Sequence, residues 1–317
     1  MRNFFKSLFS SAKPENTPGT IAKTDRKNFD IFKYDGIRAQ RMGHIPYAIK
    51  CFTAALDIQD DFETMNYLVA AYISSHDFDN ASTLANRMVE LEPASIPARL
   101  TRVNVLFLID KEKEAMEDCL YILSLDKSNY AAWFLLGKAK KATHDLAGAV
   151  SDLTRAVALK EDFTDAYLLR AEVFMEMNRP TEALPDIEKA IELAPGEESV
   201  YLLRGQIHEK TGDFSAAADD YKQVLELNPF NADASLFSAI LLINTGKLEE
   251  AISFLDEVIE LKPDFAKAYD ERARAKELSG DKEGAGKDKK TAEELIPGKE
   301  EAAKQSGFDD MYKGGIY

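Results

Sequence analysis

The chain has 317 residues, 45% of them hydrophobic and 30% charged, a balance that excludes an intrinsically disordered polymer. Asp and Glu number 55 against 40 Lys and Arg, and a net charge of -15 sets the surface against a nucleic-acid backbone. Cys51 and Cys119 cannot make a disulfide framework, and no Cys/His spacing matches a zinc site.

The chain opens with a basic arm, residues 1–28, which holds six basic and two acidic residues for a charge of +4. Its start, MRNFFKSLFSSAKP, has neither a long apolar core nor a small-residue cleavage site, so it does not read as a secretion signal. Nowhere does an apolar run approach the ~20 residues that cross a bilayer, and the simplest compartment is the cytoplasm. Phe4, Phe5, Leu8 and Phe9 share one face of a short helix beside Arg2 and Lys6. Three readings of that face stand: it packs on the following hairpin, it stays unstructured, or it makes weak, reversible membrane-surface contact. Pro14 to Asn28 reads as a linker.

From 29 to 299 the chain repeats itself. The units are about 29–61, 62–95, 96–129, 130–163, 164–197, 198–231, 232–265 and 266–299, a period of 34 residues with one residue fewer in the first. Each unit shows two amphipathic stretches with apolar residues three and four apart, which predicts a helical hairpin. The hairpin turns carry His76-Asp77, His144-Asp145, Gly212-Asp213 and Gly246-Lys247, where Gly suits a left-handed cap and Asp caps the next helix. Pro93, Pro195, Pro229, Pro263 and Pro297 stop the second helices. Small residues recur where two helices must touch: Gly137, Ala171, Gly205, Ala239 and Ala273 on first helices, and Ala81, Ala115, Ala149, Ala183, Ala217, Ala251 and Ala285 on second helices. Trp133, Tyr167, Tyr201 and Tyr269 supply the bulk between hairpins.

In this pattern Trp133, Leu136, Gly137, Ala149, Leu153 and Ala156 fall on successive landmarks of one unit, and Tyr201, Gly205, Ala217, Tyr221 and Pro229 on those of another. The chain therefore resembles the tetratricopeptide repeat family, with eight units over 271 of its residues. The resemblance implies an all-α fold, a right-handed superhelix of stacked antiparallel helix pairs, whose first helices line a concave groove. The unit from Ile96 departs from the family pattern, with Arg99 at the aromatic position, Val103 at the small one and Asp110 at the turn glycine. The Lys-rich last helix with two glycines, from Glu283, reads as the polar cap that such an array requires.

In the family, ligands meet the second, fifth, sixth and ninth positions of each unit. Here the fifth positions Leu100, Phe134, Leu168, Leu202 and Leu236 predict an apolar strip in the middle of the groove, with Asn104, Lys138, Glu172, Gln206 and Ile240 at the ninth. The sixth positions read better as packing between hairpins. A contiguous apolar strip calls for a partner, and an amphipathic helix or extended segment, apolar or basic, fits it. The family's clamp for acidic chaperone tails does not fit: its five basic and amide positions hold Lys33, Ile37, Tyr67, Pro97 and Thr101.

Arg102, Arg170, Arg204 and Arg272 stand at the seventh position, and sixteen residues later come Asp118, Asp186, Asp220 and Asp288. Units without this Arg carry Cys51, Leu84 and Phe254 instead of Asp, and Asp152 alone lacks its Arg. Joint presence and absence predicts an ion pair between the two helices of a hairpin. No phosphate loop, metal spacing or nucleophile motif appears, and His44, His76, His144 and His208 read as exposed turn residues. The tail, 300–317, carries Phe308, Met311, Tyr312, Ile316 and Tyr317 and either folds back into the apolar groove or is a peptide for another protein. These features predict a non-enzymatic scaffold without cofactor that binds a protein segment, with self-association or recruitment to a membrane by the arm as the rival readings.

Overall fold

The structure is a computed structural model and describes residues 23–295. Phe4, Phe5, Leu8, Phe9, Pro297 and the tail lie outside the described residues. The described residues fall into two compact units divided between Thr143 and His144, at the turn inside the fourth repeat. The first holds α1 (Lys23–Arg41), α2 (Ile45–Leu56), α3 (Phe62–Ser74), α4 (Phe78–Leu91), α5 (Ile96–Leu108), α6 (Glu112–Leu125) and α7 (Tyr130–Ala142). The second holds α8 (Leu146–Leu159), α9 (Thr164–Glu176), α10 (Pro180–Leu193), α11 (Glu198–Thr211), α12 (Phe214–Leu227), α13 (Ala232–Asn244), α14 (Leu248–Leu261), α15 (Ala266–Ser279) and α16 (Lys282–Glu294). From α3 on, every first helix begins on the first residue of its predicted unit. At the other end α1 starts at Lys23, inside the stretch expected to be linker. Lys, Asp, Arg and Asn there need no core of their own, because the helix is already anchored by buried Phe29, Lys33 and Gly36.

All eight hairpin turns place their fifteenth residue in the left-handed region. Gly43, Gly212, Gly246 and Gly280 do so, as do His76, Asp110, His144 and Asn178. Asp110 thus completes the turn where glycine was expected. The next residue often caps the second helix, and the side chains of Asp77, Asp145, Asp213 and Asp281 accept backbone N–H groups of their helices. Lys247 makes no such cap.

The small residues are buried as expected, and their size is matched across each hairpin. A Cβ on Gly36 would lie 2.5 Å from the Phe52 ring, and one on Gly205 would lie 2.4 Å from the Tyr221 ring. Where the eighth position is larger the twenty-fourth is smaller: Val69 shares a core with Ala85, and Val103 with Cys119. Ala171 with Ile187 and Ala239 with Leu255 are intermediate. Close packing sets this trade, because two bulky side chains cannot occupy one interhelix space.

Candidate functional site

The predicted Arg and Asp residues meet. Arg102 donates to Asp118 through Nε at 2.6 Å and Nη2 at 2.6 Å, and Arg170 to Asp186 at 2.7 and 2.5 Å. Arg204 and Asp220 approach to 2.6 Å, and Arg272 donates to Asp288 at 2.9 and 2.6 Å. All four aspartates are buried. Hydrogen bonds to the carboxylates raise Arg102, Arg204 and Arg272 above the ordinary guanidinium value. The third guanidinium nitrogen reaches back to the second helix of the preceding repeat: Arg170 Nη1 donates to Thr154 at 2.9 Å and Arg272 Nη1 to Asp256 at 2.6 Å. With Arg102, whose Nη1 donates to Asn86 at 3.4 Å, Arg170 and Arg272 therefore tie three helices rather than two. A ring three residues before Arg170, Arg204 and Arg272 adds a face, with Tyr167, Tyr201 and Tyr269 lying 5.8, 5.7 and 5.3 Å from their guanidinium carbons.

Arg99 explains the departure of the third unit. It sits at the aromatic position, stacks 3.6 Å from the Tyr121 ring centroid and adds a second guanidinium to Asp118. Its Nε donates to the carbonyl of Pro93 six residues back at 2.9 Å. Trp133 does the same to Lys127 at 3.0 Å, and Tyr201 to Pro195 at 3.1 Å. In these three units the position carries a flat side chain that donates to a carbonyl six residues back, so Arg99 does there what an aromatic with a polar edge does elsewhere. A cavity of about 390 Å³ opens beside Arg99 and Arg102, but both are committed to Asp118 and Glu114 and Glu117 stand at its rim. The histidines divide: His44, His76 and His144 are exposed at turns, whereas His208 lies partly buried within α11, 3.8 Å from Asp220. Helix periodicity puts His208 on the face of Arg204, four residues earlier, which its nearness to a turn conceals.

The candidate binding face is described unit by unit. In the first, Leu100 packs on the core around Val103 and Leu136 and stays half-buried, as does Phe134, while Asn104 and Lys138 are exposed. Lys138 Nζ stands 4.7 Å from the Phe107 ring. Lys33, the one residue matching the chaperone-tail clamp, is buried and donates to Asp61 at 2.9 Å and Glu63 at 2.7 Å, so its charge is already answered. In the second unit Leu168 and Leu202 are half-buried on successive first helices, with Glu172 and Gln206 one turn further on, and Ile240 is half-buried as well. Leu236 departs from expectation: it is 4% exposed and belongs to the core with Leu255, Ala268 and Ala275. The small side chains of Ala268 and Ala275 let α15 close over it, which removes it from the strip. Within each unit, then, Leu100 and Phe134, and Leu168 and Leu202, are half-buried rather than standing free.

Among the described residues no group of three or more His, Cys, Asp or Glu side chains is arranged to hold a metal, and no helix is long and apolar enough to cross a membrane. Cys51 and Cys119 are both buried.

Tetratricopeptide repeat family models match residues 134–198 and 208–276. A stretch of 144 residues, 43% of this chain, is 26% identical to Superkiller protein 3 of Saccharomyces cerevisiae, of which it spans 10%. A tetratricopeptide repeat protein from Parabacteroides merdae shares the fold with a TM-score of 0.61 at 17% identity, over 75% of this chain and 94% of its own. The anaphase-promoting-complex hetero-tetramer Cut9–Hcn1 does so with a TM-score of 0.60 at 15% identity, over 80% of this chain and 50% of that one. With the 34-residue period, the capped left-handed turns and the matched small residues already in view, these likenesses place the chain in the tetratricopeptide repeat family.

Proposed function

We propose that the chain is a protein-interaction scaffold that holds an apolar or basic segment of a partner against the first helices of its hairpins. Tetratricopeptide proteins are in general non-enzymatic scaffolds, which supports the class of function. One observation carries the finer reading. Leu168 and Leu202 repeat at the same position of successive first helices and remain half-buried, and Glu172 follows one turn after Leu168. A partner side chain seated there removes the remaining apolar surface from water at ~25 cal/mol per Å². The packing gives the surface a fixed shape, so little ordering cost falls on the scaffold side.

Affinity capture from the native host, with wild type beside Leu168→Glu/Leu202→Glu, tests this reading. Capture should fall to background for the double variant while its far-UV circular dichroism remains helical. Glu172→Arg leaves the apolar row intact and should weaken capture of a basic segment selectively. Undiminished capture by a folded double variant would sink the proposal.

A further inference from the structure

The seventh hairpin lacks the side chain that its relatives use to close the junction between repeats. Its fourth position is Ser235, where the other units of the second compact region carry Tyr167, Tyr201 and Tyr269. Ser235 is 7% exposed, and beside it lies a cavity of about 180 Å³ lined by Phe230, Ala232, Ser235, Val258, Leu261 and Lys262. The lining is mostly apolar. Phe230 and Leu261 at its edge are 76% and 61% exposed. An apolar cavity of about 150 Å³ accepts a benzene ring, so this one has room for an aromatic side chain. The residue six before Ser235 is Pro229, the counterpart of Pro195, whose carbonyl accepts from the Tyr201 hydroxyl. Ring-sized space at the position that Tyr201 fills in the preceding unit suits a tyrosine.

We propose that Tyr312, from the chain's own tail, occupies this cavity and supplies the missing aromatic of the seventh hairpin. The hairpin topology brings the tail close. The last described helix, α16, runs in the same sense as α14, so Leu295 leaves it at the end of the array where Leu261 closes α14, one repeat away. Neighbouring helices lie about 8–10 Å apart, and seventeen residues from Leu295 to Tyr312 reach up to about 55–60 Å, far more than needed. Charge agrees as well: Asp309 and Asp310 precede Tyr312, and Lys262 stands at the cavity rim. Docking would cover the exposed Phe230 and Leu261 together with the void.

The test places the photo-cross-linker p-benzoylphenylalanine at position 312 of the full-length chain and maps the products by mass spectrometry. The expected products are intrachain cross-links to peptides containing Phe230 to Ser235 and Val258 to Lys262. Filling the cavity with Ser235→Tyr should abolish them, and Lys262→Glu, which reverses the charge at the rim, should reduce them. Cross-links to the inner faces of α9 and α11, cross-links between two chains, an absence of cross-links, or survival of the cavity products in a folded Ser235→Tyr variant would each overturn the proposal.

Discussion

Hairpins three, five, six and eight are pinned by an arginine bound to a buried aspartate, whereas hairpins two and seven hold Leu68 with Leu84 and Ser238 with Phe254 at the same two positions. Both kinds fold into the same helix pair, so the ion pair is not what makes a hairpin. Its distinct contribution is the third contact, from the arginine back to Asn86, Thr154 or Asp256 on the preceding repeat. The Leu68 and Leu84 pair fills space within one repeat; the arginine also joins its repeat to the neighbour. In an array whose stability is the sum of repeats and of interfaces between them, the two solutions stabilise different quantities.

Breaking one pair from one side gives the largest effect. Arg170→Met leaves Asp186 buried without its guanidinium and should cost about 3–5 kcal/mol in chemical unfolding. Arg170→Met/Asp186→Leu copies the apolar solution of hairpin two and should recover most of that loss. A double variant as unstable as the single one would mean that the apolar arrangement does not transfer. Next comes Gly205→Ala, whose Cβ would meet the Tyr221 ring and should destabilise by about 1–3 kcal/mol. Adding Tyr221→Ile reproduces the Ala171 and Ile187 pairing of hairpin five and should restore melting temperature.

Acid should loosen the last pair more gradually. Burial pushes the Asp288 carboxyl up, but hydrogen bonds from Arg272 and Lys276 outweigh it and hold the group below its ordinary value. The unfolded chain therefore binds the proton first. Stability from this pair is complete above about pH 4, the unfolded carboxyl value, and is lost as pH falls through the lower folded value. Asp288→Asn should flatten that acid limb in pH-dependent unfolding. The smallest effect is expected at a turn that both kinds of hairpin share: His144 sits at φ 60°, and His144→Gly should stabilise by about 1 kcal/mol or less, read as a rise in melting temperature.

The regular part of this molecule was legible because a 34-residue period fixes both ends of every helix once one unit is read. Pairing of Arg with Asp was legible too, since the two residues come and go together along the chain. Three features were not. Lys23 to Asn28 look like linker because a helix extended beyond its packed part needs no apolar pattern of its own. Arg99 looks like a defect until its stacking on Tyr121 and its bond to Pro93 show it replacing an aromatic. Leu236 matches its counterparts in type and register, and only the closeness of α15, allowed by Ala268 and Ala275, separates it from the half-exposed Leu168 and Leu202.

Hydrogen exchange of the intact chain, with and without a captured partner, tests the scaffold account most directly. New protection is predicted on α9 and α11 around Leu168, Glu172, Leu202 and Gln206, with the outer helices α10 and α12 unchanged. Protection confined to α10 and α12, with α9 and α11 unaltered, would contradict it.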